Sequence, residues 1–170
     1  MRLIRAEQIE KAKQATVFGI ILGTLGRQGN TSVLEQVQAL FDRHGKRYFV
    51  MFLSEILPAK LARFKQVGAW VQIACPRLSI DWGHFYEKPL LSTYEAFAMF
   101  EEVRFPQSSQ ERYPMDFYSD QGGPWTNYWK RNQEKLEKRN ARKKAAAAKK
   151  GKKAAQVTEI AYEEENNGQG

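Results

Sequence analysis

Short apolar segments alternate with segments of helical periodicity through the first hundred residues, and this alternation constrains the fold more than any other feature. The apolar segments span residues 16–23 (TVFGIILG), 47–53 (RYFVMFL) and 69–74 (AWVQIA). Apolar runs of this length are typical of strands that are buried on both faces of a sheet. Because helical crossovers join such strands in parallel, the sequence predicts an α/β fold with a parallel sheet.

Capping residues mark the ends of the predicted helices and give the element order α-β-α-β-α-β-α. The first helix is expected over residues 2–15, and the last is expected to run to about Glu102. The expected start and stop signals are capping boxes at Ser32 with Glu35 and at Ser92 with Glu95, a proline start at Pro58 and a glycine stop at Gly45. Residues 75–89 are expected to form a loop.

The loops that follow the strands are the most unusual segments of the chain. In a parallel sheet the carboxyl ends of all strands lie at one edge, and open α/β sheets bind ligands in the crevice outside that edge. The three loops are residues 23–30 (GTLGRQGN), 54–56 (SEI) and 75–83 (CPRLSIDWG). We therefore expect a ligand site where these loops meet.

The first loop spaces its glycines as G-x-x-G-x-x-G, which matches neither the dinucleotide fingerprint nor the P-loop. Its backbone N–H groups could still bind a carboxylate or a phosphate, and Arg27 could clamp that anion. A plain strand-to-helix turn explains the glycines equally well. The candidate cofactor-binding residues are Gly23, Thr24, Gly26, Arg27, Gln28 and Gly29 of this loop, together with Arg77 and Asp81 of the third loop.

Cys75 is the single cysteine of the chain and follows the third predicted strand directly. It cannot form an intramolecular disulfide, and free cysteines are most often small buried apolar residues. The polar turn after it favours a functional interpretation, since Arg77 lies close enough in sequence to favour the thiolate and Asp81 adds a second polar group. One cysteine cannot build a zinc or iron-sulfur site alone, and neither His44 nor His84 has metal-ligand spacing to it.

The net charge of +8 belongs to the C-terminal arm. Residues 130–153 carry twelve Lys or Arg against two Glu, whereas residues 1–129 carry a net charge of only +2. We predict a folded domain over residues 1–129 and a mostly disordered Lys/Ala-rich tail with an acidic end over residues 130–170. The tail is either a solvated arm or an electrostatic contact for RNA, the ribosome or an acidic protein, and the nearly neutral domain tells against nucleic-acid binding by the fold itself.

Two further segments bear on location and on the site. The longest apolar run, residues 17–22, is far shorter than the roughly 20 residues of a membrane-spanning helix, and the charged N-terminus does not resemble a secretory signal. We therefore expect a cytosolic protein without a membrane contact. Residues 113–125, rich in aromatic residues and proline, either pack back over the sheet or cap its ligand crevice.

Five segments together resemble a known family. They are GTLGRQGN, LSEILPAKL, WVQIACPRLSIDWG, KPLLSTYEA and YPMDFY, and they are similar to the C-terminal third of eukaryotic diphthamide synthase subunit 1, of the 2-(3-amino-3-carboxypropyl)histidine synthase family. The similarity spans about residues 6–125, with CPRLSIDWG as its most specific run, and it leaves out the Lys-rich tail.

The resemblance implies a Rossmann-like domain, the third of three related domains that each give one cysteine to a [4Fe-4S] cluster. Cys75 matches the cysteine of the third domain and would act in catalysis through the cluster. In this family the reduced cluster cleaves S-adenosylmethionine to a 3-amino-3-carboxypropyl radical, which adds to a histidine of translation elongation factor 2. The resemblance also implies a heterodimer with a homologous subunit 2 and a small electron-donating iron protein.

The chain departs from the family pattern because the first two domains and their cysteines are absent from it. We expect the isolated chain to hold no normal cluster and to be inactive by itself, as a fragment or a truncated gene product would be. Two alternatives to the transferase remain: a non-enzymatic RNA- or ribosome-associated adaptor that uses the basic tail, and an inactive fragment that occupies the partner subunit.

Overall fold

The computed structural model describes residues 1–25, 29–108, 110–119, 122–145 and 148. The chain divides into two units, Met1–Lys130 and Arg131–Gly170. Within the described residues, no helix has the length and apolar character needed to cross a bilayer.

The first unit is built on a four-stranded sheet in which every neighbouring pair of strands is parallel. The strands are β1 (Val17–Gly23), β2 (Arg47–Leu53), β3 (Ala69–Ile73) and β4 (Leu90–Ser92), in the spatial order β2-β1-β3-β4. The predicted α/β class and parallel sheet are confirmed. The sequence did not predict β4, because three residues are too few to establish a periodicity.

Helices cover both faces of the sheet. They are α1 (Arg2–Lys13), α2 (Thr31–Arg43), α3 (Pro58–Leu61), α4 (Arg77–Trp82) and α5 (Thr93–Met99), and a 3₁₀ turn follows α4 at Gly83–Phe85. Buried side chains of α1, α2 and α5 share one core with alternate residues of β1 and β3, while α3 packs against the opposite face. The resulting three-layer arrangement buries β1 and β3 on both sides.

Three local expectations are corrected by the structure. The strand β2 lies at the sheet edge and is not buried on both faces, so Phe52 is 62% exposed. Asn30, and not Ser32, caps α2, because its Oδ1 accepts hydrogen bonds from the backbone N–H of Ser32 at 2.8 Å and Val33 at 3.2 Å. The expected loop after Cys75 contains the helix α4.

Other local expectations are confirmed. Pro58 is the first residue of α3, and Gly45 follows the end of α2 with a φ of +60°, a conformation that glycine adopts without strain. Ser92 and Glu95 form the predicted capping box of α5, in which the Ser92 N–H donates to Glu95 Oε2 at 2.8 Å. A Cβ at Gly19 would overlap the Trp70 ring, so the indole of β3 packs directly on the backbone of β1.

Glu95 also forms a buried ion pair that joins α1 to α5. Arg5 donates from Nε to Glu95 Oε1 at 2.6 Å and from a terminal guanidinium nitrogen to Oε2 at 2.7 Å. The Tyr113 hydroxyl donates to Oε1 at 2.6 Å. Burial lowers the pKa of Arg5, and the hydrogen bonds and charge of Glu95 outweigh that effect, so the pKa lies above its ordinary value.

In the second unit, residues 131–145 are helical and largely exposed. The sequence predicts a mostly disordered arm that can form transient helix, because Ala, Lys, Arg and Glu are good helix formers. The acidic end of the predicted tail lies outside the described residues.

Candidate functional site

The candidate site lies where the order of the strands changes direction. From β1 the chain crosses to β2 on one side, and from β2 it crosses to β3 on the other side of β1. A crevice opens at such a switch point outside the carboxyl ends of the strands. Gly23 ends β1 there beside Ala74, since a Cβ at Gly23 would stand 2.8 Å from the Ala74 Cβ.

Cys75 lies at this switch point and is half-buried. It forms part of the wall of two cavities, together with Ala74. We name them the Met115 cavity, with a volume of about 250 Å³, and the Leu25 cavity, with a volume of about 280 Å³. A ligand in either the Met115 cavity or the Leu25 cavity would therefore lie beside Cys75.

The Met115 cavity is closed by the segment that follows the last helix of the sheet domain. Met115, Phe117 and Asn127 supply part of its wall, opposite Ile73 and Cys75. The Asn127 N–H donates to the Phe117 carbonyl at 2.8 Å, which ties the two ends of this segment together. The aromatic segment predicted from the sequence thus both packs on the fold and walls a cavity beside Cys75.

Two contacts anchor that segment on α5. The Thr93 hydroxyl donates to the Trp125 carbonyl at 3.1 Å, and Thr93 itself also lines the Met115 cavity. The Tyr94 ring meets the rings of Tyr113 and Trp125 edge-on, with centroids 5.5 Å and 5.0 Å away. The cavity wall therefore rests on the buried end of α5.

The Leu25 cavity brings the first and second strand loops together. Gly23 and Leu25 line it with Glu55 and Leu78, and the Thr24 N–H donates to the Leu53 carbonyl at 2.8 Å. The predicted site residues Gly26, Arg27 and Gln28 lie outside the described residues. Cys75 shares this cavity with Gly23, as expected for loops at one edge of a parallel sheet.

Gly29 has a backbone reason to be glycine. A Cβ at this position would overlap the Gly23 carbonyl, so the glycine loop closes directly on its own first residue. This contact explains the glycine at position 29 by backbone packing, and the Ala74 Cβ explains the glycine at position 23.

Arg77 and Asp81 form an ion pair on α4, with 2.7 Å between Arg77 Nε and Asp81 Oδ2. Arg77 lines the Met115 cavity, whereas Asp81 is not among the described residues that line either cavity. The sequence places Arg77 near Cys75 as a charge that favours the thiolate. In the structure, the Arg77 guanidinium forms its ion pair with Asp81.

Gln72 anchors the turn at Cys75, and the sequence did not predict this role. It is fully buried, and its Nε2 donates to the Cys75 carbonyl and to Ser79 Oγ, both at 3.0 Å. These bonds connect β3, the Cys75 turn and α4. One signal in the sequence could have revealed it: Gln72 is a single amide inside the apolar run AWVQIA. A polar side chain that is buried in this way needs a hydrogen-bond partner.

The described residues can supply one ligand of a metal group that is shared with other domains, but they cannot supply a full set of ligands. Within the described part of the chain, no three His, Cys, Asp or Glu side chains are arranged to hold a metal ion. The whole sequence contains one cysteine, so Cys75 can offer one thiolate to an iron-sulfur cluster. The other ligands of such a cluster must come from elsewhere.

A family model with the description "Putative diphthamide synthesis protein" matches residues 1–114. The chain belongs to the diphthamide synthesis family. This confirms the family predicted from the five sequence segments, and the match ends just before Met115 and the rest of the segment that walls the cavity beside Cys75.

Named members of the diphthamide synthesis family extend this comparison. The chain is 52% identical over 130 residues to 2-(3-amino-3-carboxypropyl)histidine synthase subunit 1 of Dictyostelium discoideum, covering 76% of this chain and 27% of that protein. It is 48% identical over 130 residues to the mouse protein of the same name, covering 75% and 29%. The chain thus spans little more than a quarter of the length of these relatives.

A solved structure of an archaeal member shares the fold. The crystal structure of Dph2 from Pyrococcus horikoshii with a 4Fe-4S cluster matches with a TM-score of 0.53 and 28% identity. The match covers 65% of this chain and 34% of that chain. The Rossmann-like α/β fold predicted for this chain agrees with this neighbour.

Proposed function

We propose that this chain supplies one cluster-binding domain of a 2-(3-amino-3-carboxypropyl)histidine synthase, with Cys75 as one thiolate ligand of a [4Fe-4S] cluster. The observation that carries the proposal is the position of Cys75, half-buried at the switch point and open to two cavities. The archaeal neighbour with a 4Fe-4S cluster and the names of the relatives support it.

The residues around Cys75 have distinct proposed roles. Gln72 holds the Cys75 carbonyl and so fixes the turn from which the thiolate would reach the cluster. The Met115 cavity offers a largely apolar space beside it for the substrate S-adenosylmethionine, with Arg77, Thr93 and Asn127 among its polar groups. When bound, the cluster would supply the one electron that cleaves the bond from sulfur to the γ-carbon of S-adenosylmethionine, releasing a 3-amino-3-carboxypropyl radical and leaving methylthioadenosine as the neutral thioether.

The strand loops are the proposed contacts for the charged end of S-adenosylmethionine. Its carboxylate suits the backbone N–H groups of a glycine-rich turn at the carboxyl edge of the sheet. The residues proposed to hold this carboxylate are those of the glycine loop, Gly23, Thr24, Gly26, Arg27, Gln28 and Gly29, with Arg77 on α4. The carboxylate of Asp81 would suit the amino group of the same end.

Because Cys75 can supply only one ligand of a cluster, the proposed function requires further domains and partners. We propose that two more cysteines come from two further domains of the same family, that the assembly pairs with a homologous subunit 2, and that a small iron protein delivers electrons. The proposed acceptor is a histidine of translation elongation factor 2, which places the reaction in the cytosol.

The test is Cys75→Ser in a chain completed with the two other domains and combined with a subunit 2 whose own cluster cysteines are replaced. A serine hydroxyl is a poor iron ligand beside a thiolate, so iron and sulfide content after anaerobic reconstitution should fall sharply. The melting temperature should hardly change, because the two side chains have similar volumes. Loss of aminocarboxypropyl transfer should accompany the loss of iron.

The matched control is Ala74→Ser, which adds a hydroxyl one residue away and keeps the thiol. It should retain iron. If Cys75→Ser binds as much iron as the unchanged protein and still transfers the group, Cys75 is not a ligand and the proposal fails.

A further inference from the structure

The helical part of the second unit, residues 131–145, which we call the basic helix, carries its charge asymmetrically. It contains seven Lys or Arg and two Glu. Lys135, Lys138, Arg139 and Arg142 have the spacing i, i+3, i+4, i+7, which places four side chains on one helix face. All four are exposed. We call these four residues the basic stripe.

The acidic residues of the basic helix lie off the basic stripe. At about 100° per residue, Glu134 lies about 90° from the centre of the stripe and Glu137 about 150° from it. The four cations span about 10 Å along the axis, since each residue rises by about 1.5 Å. No carboxylate therefore lies between the four cations, and Glu134 flanks the stripe beside Lys138.

The basic helix lacks an apolar face that could insert into a membrane or a protein groove. Among its described residues, Leu136 is the one large apolar side chain, and it is 39% exposed. Amphipathic helices that bind membranes or grooves need several apolar residues along one face. A polyanion is therefore the partner that this surface fits.

We propose that the basic stripe binds the phosphate backbone of RNA. Arg139 and Arg142 present planar guanidinium groups that match phosphate oxygens in bidentate geometry, and the two lysines add point charges. The stripe contains cations only, so its contacts are with phosphates and are independent of base sequence. The choice of RNA over DNA rests on the proposed function, because translation elongation factor 2 works on RNA-rich ribosomes.

The binding test uses the whole 170-residue chain and a fluorescently labelled single-stranded RNA, with anisotropy measured over a series of salt concentrations. The stripe variant carries Lys135→Gln, Lys138→Gln, Arg139→Gln and Arg142→Gln. We expect it to bind RNA at least about tenfold more weakly, and the slope of log K against log salt to fall by about 3, or roughly 0.7 per phosphate contact.

The control variant removes the same charge from exposed positions of the first unit. Its substitutions are Arg47→Gln, Arg63→Gln, Lys65→Gln and Arg112→Gln, all at exposed residues. We expect its RNA affinity to stay within about threefold of the unchanged chain, since charges that make no phosphate contact act only through the screened field of the protein.

A second variant tests whether binding depends on the position of the cations and not on net charge or helix content. It exchanges neighbours through Glu134→Lys, Lys135→Glu, Glu137→Lys and Lys138→Glu, so that composition and net charge are unchanged and two cations leave the stripe. It should also bind more weakly, with the same helix content by circular dichroism.

Four results would overturn the proposal: no measurable RNA binding near physiological salt, equal loss in the stripe and control variants, unchanged binding of the exchanged variant, or tighter binding to single-stranded DNA of the same sequence. Binding to anionic vesicles or to an acidic protein without RNA binding would also overturn it. Because the assay involves neither cluster nor transfer, its outcome is independent of Cys75.

Discussion

The ion pair between Arg5 and Glu95 should be the most sensitive polar contact of the first unit. Both side chains are buried, with 2% and 0% of their surface exposed. Arg5→Met keeps most of the side-chain length and removes the charge. Glu95 would then remain buried with the Tyr113 hydroxyl and the Ser92 N–H as hydrogen-bond donors and without a cation.

The expected loss follows from the contacts that disappear. Arg5 donates two hydrogen bonds to the carboxylate and one to the Leu90 carbonyl at 2.8 Å. Hydrogen bonds to charged groups contribute about 1.5 to 3 kcal/mol each, and loss of one partner of a buried pair costs about 3 to 5 kcal/mol. The burial of the methionine side chain offsets part of this. We therefore expect the free energy of unfolding to fall by about 3 to 4 kcal/mol.

Urea unfolding followed by tryptophan fluorescence measures this change, provided that the m-value stays constant. Arg43→Met is the matched control, because Arg43 forms a similar contact with Glu102 at 2.7 Å while 54% of its side chain is exposed. Exposed pairs contribute at most about 1 kcal/mol, so the control should change stability little.

The double variant Arg5→Met with Glu95→Gln tests the reason for the loss. It leaves no unpaired buried charge, so its destabilisation should be smaller than the sum of the two single changes by about 1 to 3 kcal/mol. If Arg5→Met costs less than about 1 kcal/mol, or no more than Arg43→Met, the reasoning from a buried uncompensated charge is refuted.

Two further predictions concern local structure and pH. Asn30→Ala should lower the free energy of unfolding by about 1 kcal/mol and Ser32→Ala by less than about 0.5 kcal/mol, since Asn30 caps α2; equal effects in urea unfolding would contradict this assignment. Burial, and then the charges of Glu111 and Glu95, raise the pKa of Tyr94 from 10.0 to about 12. Its neutral form therefore stabilises the fold fully below pH 10, and this contribution is lost as the pH rises through 12. The stability difference between the unchanged chain and Tyr94→Phe should accordingly shrink by about 2 kcal/mol over that interval in urea titrations, and a constant difference would argue against the shift.

Features that depend on neighbouring residues could be predicted from the sequence. Residues 47–53 were predicted as a strand and are β2 in full, Pro58 begins α3, and Ser92 with Glu95 caps α5. Each rests on a local rule, such as apolar periodicity, a fixed proline φ or a side chain within reach of its own helix. Two adequate caps near α2 could not be distinguished in this way, because Asn30 and Ser32 both satisfy the composition rule.

Features that depend on residues distant in sequence could not be predicted. Glu95 was identified as a capping residue, but its partner Arg5 lies 90 positions away and no local pattern connects them. The same holds for residues 115–127, which wall the cavity beside Cys75 because they pack against α5.

The sequence by itself determined that short buried strands alternate with helices, that the sheet is parallel, and that Cys75 follows a strand end. It did not determine the order of the strands, because periodicity shows which faces are apolar and not which backbone each strand pairs with. Tertiary structure placed β2 and β3 on opposite sides of β1. That arrangement brings Gly23 beside Ala74 and opens the crevice at Cys75, because hydrogen bonds between strands join segments that are about fifty residues apart, such as Phe18 and Ala69.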